Sequence, residues 1–296
     1  MLKKLWLFLL SMAPGLFLLG YNIGTGSVTS MASAGADYGM GLFWTLIISA
    51  LFTYVMIVAV TRLTIASGDT LLTGMRKIWG QPVALAACIM LVGSDIFGMM
   101  GVMGIIGDVL QEWTKQWLPG GVGIAPIVSI PILMIALGML FWVGKHSFFE
   151  KILVVMVVSM AAGFLISLIF TVPSPGEIVK GLVPMIPEGA GGKMLIGGMV
   201  GTTLCAAVIA VRPILVSEAG WKPSQMKEAG KDTLFSVVMM VVLSGAVMAC
   251  AAGTLHARGL HITKAIDMVA TLEPLGKMAT SVFVFGILGA GLSSVF

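Results

Sequence analysis

The sequence predicts an all-α integral membrane protein: a single polytopic transmembrane domain over residues 1–296, with about eight helical spans. Three observations carry that reading. Hydrophobic residues make up 58% of the chain and charged residues 10%, where a soluble domain has roughly 25% charged. Uncharged apolar runs recur at lengths able to cross a bilayer core, which takes about 20 residues of helix. Two of those runs carry their own helix breakers, at matching places in the two halves of the chain.

Taken in order, the runs give spans near 5–36, 38–61, 82–107, 123–143, 152–171, 194–216, 233–255 and 278–296. The mean hydropathy of +1.06 agrees with so many crossings. The first run is too long and too rich in glycine for one straight helix, as a broken or tilted span would be. Lys3 and Lys4 precede it as in a signal peptide. The apolar stretch runs well past a signal core of about 7–15 residues, and no clean cleavage site follows, so it reads as a retained span. The chain stops at Phe296 inside an apolar run, so it is expected to be C-terminally incomplete.

Basic residues set the orientation. With the N-terminus in the cytoplasm, Lys3, Lys4, Arg62, Arg76, Lys77, Lys145, Lys151, Arg212, Lys222, Lys227 and Lys231 lie on or toward the inner side. Lys115, Lys180, Lys193, Arg258, Lys264 and Lys277 face outward. The inner excess predicts a plasma (inner) membrane protein with its N-terminus inside. The net charge of +4 then reflects topology, with no nucleic-acid partner implied.

The first break is Gly20-Tyr21-Asn22-Ile23-Gly24-Thr25-Gly26-Ser27. The second has Gly197, Gly198 and Gly201 ahead of Thr202-Thr203-Leu204-Cys205-Ala206-Ala207, and then Arg212-Pro213. Opening a helix inside lipid frees backbone N–H and C=O groups, which cost several kcal/mol each without a partner. Such breaks persist where the loose backbone lines a cavity, and paired breaks point to a carrier's substrate site.

Other residue patterns imply less. Cys88, Cys205 and Cys250 fall inside spans and read as free buried thiols. Gly98, Gly101, Gly104 and Gly107 recur every third residue of the third span and read as helix-packing positions. Methionines are spread over nearly every span and read as core filling. His256 and His261 lie in a predicted loop with no acidic cage around them. No nucleophile–base pairing, Walker loop or HExxH sequence is present, so the chain reads as a non-enzyme without a cofactor, and any active transport as ion-coupled.

On these residues the chain resembles the natural resistance-associated macrophage protein (Nramp) family, proton-coupled importers of divalent metals with the LeuT fold. The resemblance begins at Pro14-Gly15 and runs through Ser33-Ala34-Gly35-Ala36-Asp37-Tyr38-Gly39, like the family's first-span exit. It continues at Ser67-Gly68-Asp69-Thr70-Leu71 with Arg76, at Val200-Gly201-Thr202-Thr203, and at Phe285 to Ser294. It implies a LeuT-type inverted-repeat bundle with discontinuous helices 1 and 6. The first repeat would cover about 5–171, with the second starting near 194 and truncated in span eight. A secondary carrier of a metal cation is implied, with protons as the coupling ion and the lipid bilayer as its surroundings.

The departures from the family lie in the substrate site. The family's "DPGN" aligns with Gly24-Thr25-Gly26-Ser27, replacing its Asp by Gly24 and its Asn by Ser27. Its "MPH" aligns with Cys205-Ala206-Ala207, and a later histidine of that span falls on Arg212. The implied substrate-binding set is Tyr21, Asn22, Gly24, Thr25, Gly26, Ser27, Thr202 and Thr203. The implied metal contacts are Gly24, Ser27, Leu204 and Cys205. A thiolate at Cys205 favours a soft metal, whereas a protonated thiol donates poorly. Arg212 stays charged and cannot relay a proton as histidine does.

Each site position has a plainer alternative. The glycines of Gly24–Ser27 also suit close helix packing, and Cys205 also suits core filling. Asp95 is the one carboxylate well inside a span and falls near the family's third-span acid, so Asp95 and Arg212 are expected to pair and mark the proton path. Alternatively, Arg212 snorkels to the inner interface beside Pro213. A carrier of a small organic solute, with Arg212 replacing the coupling cation, and a non-transporting sensor or assembly partner are the other functions compatible with the sequence.

Overall fold

Glycine, proline and hydroxyl residues punctuate the apolar sequence into helices. A computed structural model describes residues 24–115, 117–118, 121–143 and 146–295. The helices are α1 (Thr25–Tyr38), α2 (Phe43–Ser67), α3 (Leu71–Trp79), α4 (Gln81–Thr114), α5 (Pro126–Val143) and α6 (His146–Thr171). They continue as α7 (Pro175–Lys180), α8 (Ala190–Thr203), α9 (Ala206–Glu218), α10 (Met226–Thr254) and α11 (Ala279–Val295). No strand occurs among the described residues. Each expected span has a described helix at its place, although the first span before Gly24, including Tyr21 and Asn22, lies outside the described residues.

Local chemistry fixes the helix ends. α2 stops at Gly68, whose left-handed backbone (φ 73°) lets its N–H reach the Thr64 carbonyl at 2.8 Å. Thr70 then caps α3 by accepting from the Thr73 N–H. Pro82 occupies the first turn of α4, where a missing N–H is harmless. Ser174 and Glu177 form a reciprocal capping box on α7.

α2, α4, α10 and the pair α8–α9 taken together are long and apolar enough to cross a membrane, and α5, α6 and α11 are shorter apolar helices. The main core joins α1, α6, α10 and α11 through Met31, Ala34, Met160, Phe164, Met248, Cys250, Phe283 and Ile287. In lipid such contacts stabilise through close packing, because the surrounding tails are as apolar as the side chains. Gly35 shows how close that packing is: a β-carbon there would collide with the Met248 carbonyl oxygen, and the α1–α10 crossing needs its absence.

The glycine stripe of the third span behaves unevenly. A β-carbon at Gly107 would meet Pro126 and Ile130, whereas one at Gly98, Gly101 or Gly104 would meet no described neighbour within 4 Å. The core contacts of α4 lie in its second half, at Met103, Ile106 and Val109. Its first half exposes Ile89, Met90, Ile96 and Phe97.

Candidate functional site

The expected break in the sixth span is present in the backbone. Of the first, Gly20–Ile23 lie outside the described residues, and Thr25, Gly26 and Ser27, expected in the opening, are helical. Gly24 is extended (φ −76°, ψ 168°) and α1 starts directly after it, without a side-chain cap. In the sixth span, α8 ends at Thr203, Leu204 (φ −95°, ψ 63°) and Cys205 (φ −75°, ψ 122°) leave helical geometry, and α9 starts at Ala206. A helix start leaves its first amides without carbonyl partners in its own helix. Two such starts, those of α1 and α9, therefore belong to this junction.

The start of α1 and the break between α8 and α9 are neighbours. Thr202 Cγ2 stands 3.4 Å from where a β-carbon of Gly26 would be, and Ser30 Oγ stands 3.6 Å from the equivalent point at Gly198. Thr25 is fully buried, with its methyl 3.2 Å from the position a Gly291 β-carbon would take on α11. Its Oγ1 has no hydrogen-bond partner among the described residues. Ser27 lines a cavity of about 10 Å³ with Ser244, Met160 and Phe164, room for about one water molecule.

α2 holds the second break in place. Thr53 Oγ1 donates to the Thr203 carbonyl at 3.0 Å, taking up one orphan acceptor at the end of α8, and lies 2.8 Å from the Ser49 carbonyl. Thr202 Oγ1 turns back to the Gly198 carbonyl at 2.9 Å. Cys205 contributes the extended backbone of the break, while its side chain packs against the Ile57–Val208 cluster. Among the described residues no three His, Cys, Asp or Glu side chains gather into a metal cage. The junction thus offers hydroxyls and backbone dipoles in place of carboxylates.

The expected Asp95–Arg212 pair is replaced by a different one. Arg212 is fully buried, and its Nη2 meets Asp232 Oδ2 of α10 at 2.8 Å. Its Nε donates to Thr61 Oγ1 of α2 at 3.1 Å and its Nη2 to Thr233 Oγ1 at 3.3 Å. The guanidinium also lies 5.2 Å from the Trp221 ring centre. The snorkelling alternative falls with this burial. Asp95 sits half-buried on the sparsely covered first half of α4. The sequence reading missed Asp232 because it immediately precedes the apolar run and follows Lys231, as an interfacial residue would.

Two other residues without a sequence-level role hold the far end of α1. His256 Nδ1 lies 3.0 Å from the Ala36 carbonyl, so that nitrogen carries the proton and donates. His261 Nδ1 lies 2.8 Å from Asp37 Oδ1. A cleft of about 640 Å³ opens beside them, with Tyr38, Glu177, Lys180 and His256 on its wall.

Comparison with known proteins places this geometry. A family model described as "Natural resistance-associated macrophage protein-like" matches residues 15–296. A "Divalent metal cation transporter MntH" of Yersinia pestis is 28% identical over 304 residues, covering 99% of this chain and 71% of the relative. One from Klebsiella pneumoniae is 27% identical over 287 residues, covering 93% and 66%. A crystal structure of a point mutant of the Eremococcus coleocola manganese transporter superposes with a TM-score of 0.71 at 14% identity. That superposition covers 98% of this chain and 63% of the other, so the chain spans about two thirds of the length of its relatives. The fold is the helical transporter fold of those structures.

Proposed function

Starting from the premise that this chain belongs to the Nramp-like family of integral membrane proteins, we propose that it is a secondary carrier moving a divalent metal cation across the membrane. The relatives named as divalent metal cation transporters support the substrate class. The carrying observation is that the start of α1, after an extended Gly24, faces the break at Leu204–Cys205 through Gly26 and Thr202. Backbone carbonyls and the hydroxyls of Thr25, Ser27, Thr202 and Thr203 would contact the ion, with Gly24, Leu204 and Cys205 contributing backbone and Tyr21 and Asn22 completing the set.

The donor set favours a hard ion. Without a carboxylate or a thiolate cage, the site provides no formal charge to strip a tightly held hydration shell. Oxygen dipoles suit Mg²⁺ or Mn²⁺ that keeps part of its water. The family to which the chain belongs is one of membrane transporters, and no catalytic step is part of the reading. An inner-membrane location with the N-terminus inside, and proton coupling through Asp95, complete it.

A second reading rests on one observation. Two helix starts, those of α1 and α9, converge on a junction with no acid among its described residues, and helix N-termini favour negative charge. A small organic anion would use them, with Arg212, held in its pair with Asp232, replacing the coupling cation. Uptake into lipid vesicles, with Mn²⁺, Fe²⁺ and Mg²⁺ in competition, separates the readings. Saturable uptake of a divalent ion supports the first; no uptake of any of the three overturns it.

A further inference from the structure

Arg212 is the largest fully buried side chain among the described residues, and it lies seven positions past the break at Cys205. One guanidinium joins three elements: Nε bonds Thr61 on α2, Nη2 bonds Asp232 and Thr233 on α10, and its Cζ lies over the ring of Trp221 in the α9–α10 connection. Its own helix, α9, is the half-span whose start forms one wall of the junction. Buried ion pairs are poor sources of stability compared with apolar packing, because desolvation offsets most of the attraction. They do fix geometry, since an arginine fork accepts few arrangements of its partners.

We propose that Arg212 and Asp232 are positioning residues that set the second half of the sixth span. They hold α9 against α2 and α10 at the tilt that presents its start, at Cys205 and Ala206, to the start of α1 at Thr25. The proposal rests on the carrier reading of that junction. It assigns Arg212 no contact with the substrate. About 10 Å of helix separates Cys205 from Arg212, at roughly 1.5 Å of rise per residue, so a small change of tilt at the arginine moves the break itself.

The test uses the whole chain in lipid vesicles with Cys88→Ala, which leaves Cys205 as the accessible thiol because Cys250 is fully buried. Two readouts are taken: the alkylation rate of Cys205 by N-ethylmaleimide, and the rate and apparent KM of Mn²⁺ and Mg²⁺ uptake. The double variant Arg212→Met/Asp232→Val removes both charges together. It is expected to stay folded, with Cys205 alkylation altered about five- to thirtyfold and uptake slowed at little-changed KM. Arg212→Lys keeps the charge but loses the fork to Thr61, and is expected to fall between the double variant and the parent.

A folded double variant with parental alkylation and uptake overturns the proposal. If the double variant does not fold, Arg212→Lys decides alone: parental behaviour in both readouts overturns it, and the intermediate shift supports it. If the parent transports neither ion, the carrier reading fails, while the alkylation rates still judge the joint.

Discussion

Thr202 stands against the bare backbone of Gly26, its methyl 3.4 Å from where a β-carbon would project. This contact brings the first turn of α1 against the last turn of α8, next to the extended Gly24 and the opening at Leu204–Cys205. Gly26→Ala should be tolerated, since the gap is ordinary van der Waals contact. Gly26→Leu should drive a branched side chain into the junction, cost about 1–3 kcal/mol by overpacking, and abolish uptake in protein that remains folded. Vesicle uptake alongside a detergent melting curve checks both.

Gly35 and Gly98 make an opposed pair. A methyl at Gly35 meets the Met248 carbonyl and lies 2.7 Å from the Ala251 Cβ, so Gly35→Ala should lower the melting temperature clearly. A β-carbon at Gly98 would meet no described neighbour within 4 Å. Gly98→Ala should therefore be neutral or raise stability by about 0.5–1 kcal/mol, the helix preference of alanine over glycine.

Asp232→Asn leaves Arg212 buried without its counter-charge and should destabilise by about 3–5 kcal/mol. Asp95→Asn breaks no contact of Arg212 and should cost far less. Equal losses of stability for the two variants would contradict the pairing. Asp95→Asn also examines the proton path, because unchanged uptake and unchanged pH dependence would remove that role.

Asp267 begins the segment ahead of α11. Burial works to raise its carboxyl, but bonds to Oδ2 from the Lys264 N–H, the Thr263 hydroxyl and the Thr263 N–H, with the Lys264 charge, hold it below its ordinary value. A depressed folded value contributes stability that is fully present above the unfolded value of about 3.9. That contribution is lost as pH falls through the depressed folded value. Asp267→Asn should flatten this acid limb of the stability curve while leaving neutral-pH uptake in place, as melting curves across acidic pH would show.

Much of this fold was legible in the sequence because lipid leaves few options for an apolar chain. Runs long enough to cross had to be helices. The opening at Leu204–Cys205 follows the glycine and hydroxyl cluster that announced it, whereas Thr25, Gly26 and Ser27, expected in the first opening, are helical. Arg212 was visible as an anomaly, but its partner was not. Periodicity does not say which face of α9 meets α10, and Asp232 sat where a charge at the membrane edge is ordinary. The packing of Cys205 on the Ile57–Val208 cluster was hidden for the same reason, since that cluster depends on how α9 meets α2. The glycine stripe of α4 misled in the other direction: spacing alone cannot show whether a neighbour arrives, and among the described residues only Gly107 of that stripe has one.

The most direct measurement of the central claim is anomalous-scattering density from crystals of the protein soaked in manganese. The account predicts a peak between the Gly24–Ser27 backbone and the Thr202–Cys205 turn, with both helices open on either side of it. Continuous helix through Gly24 and Cys205, or a manganese peak bound only elsewhere, would contradict it.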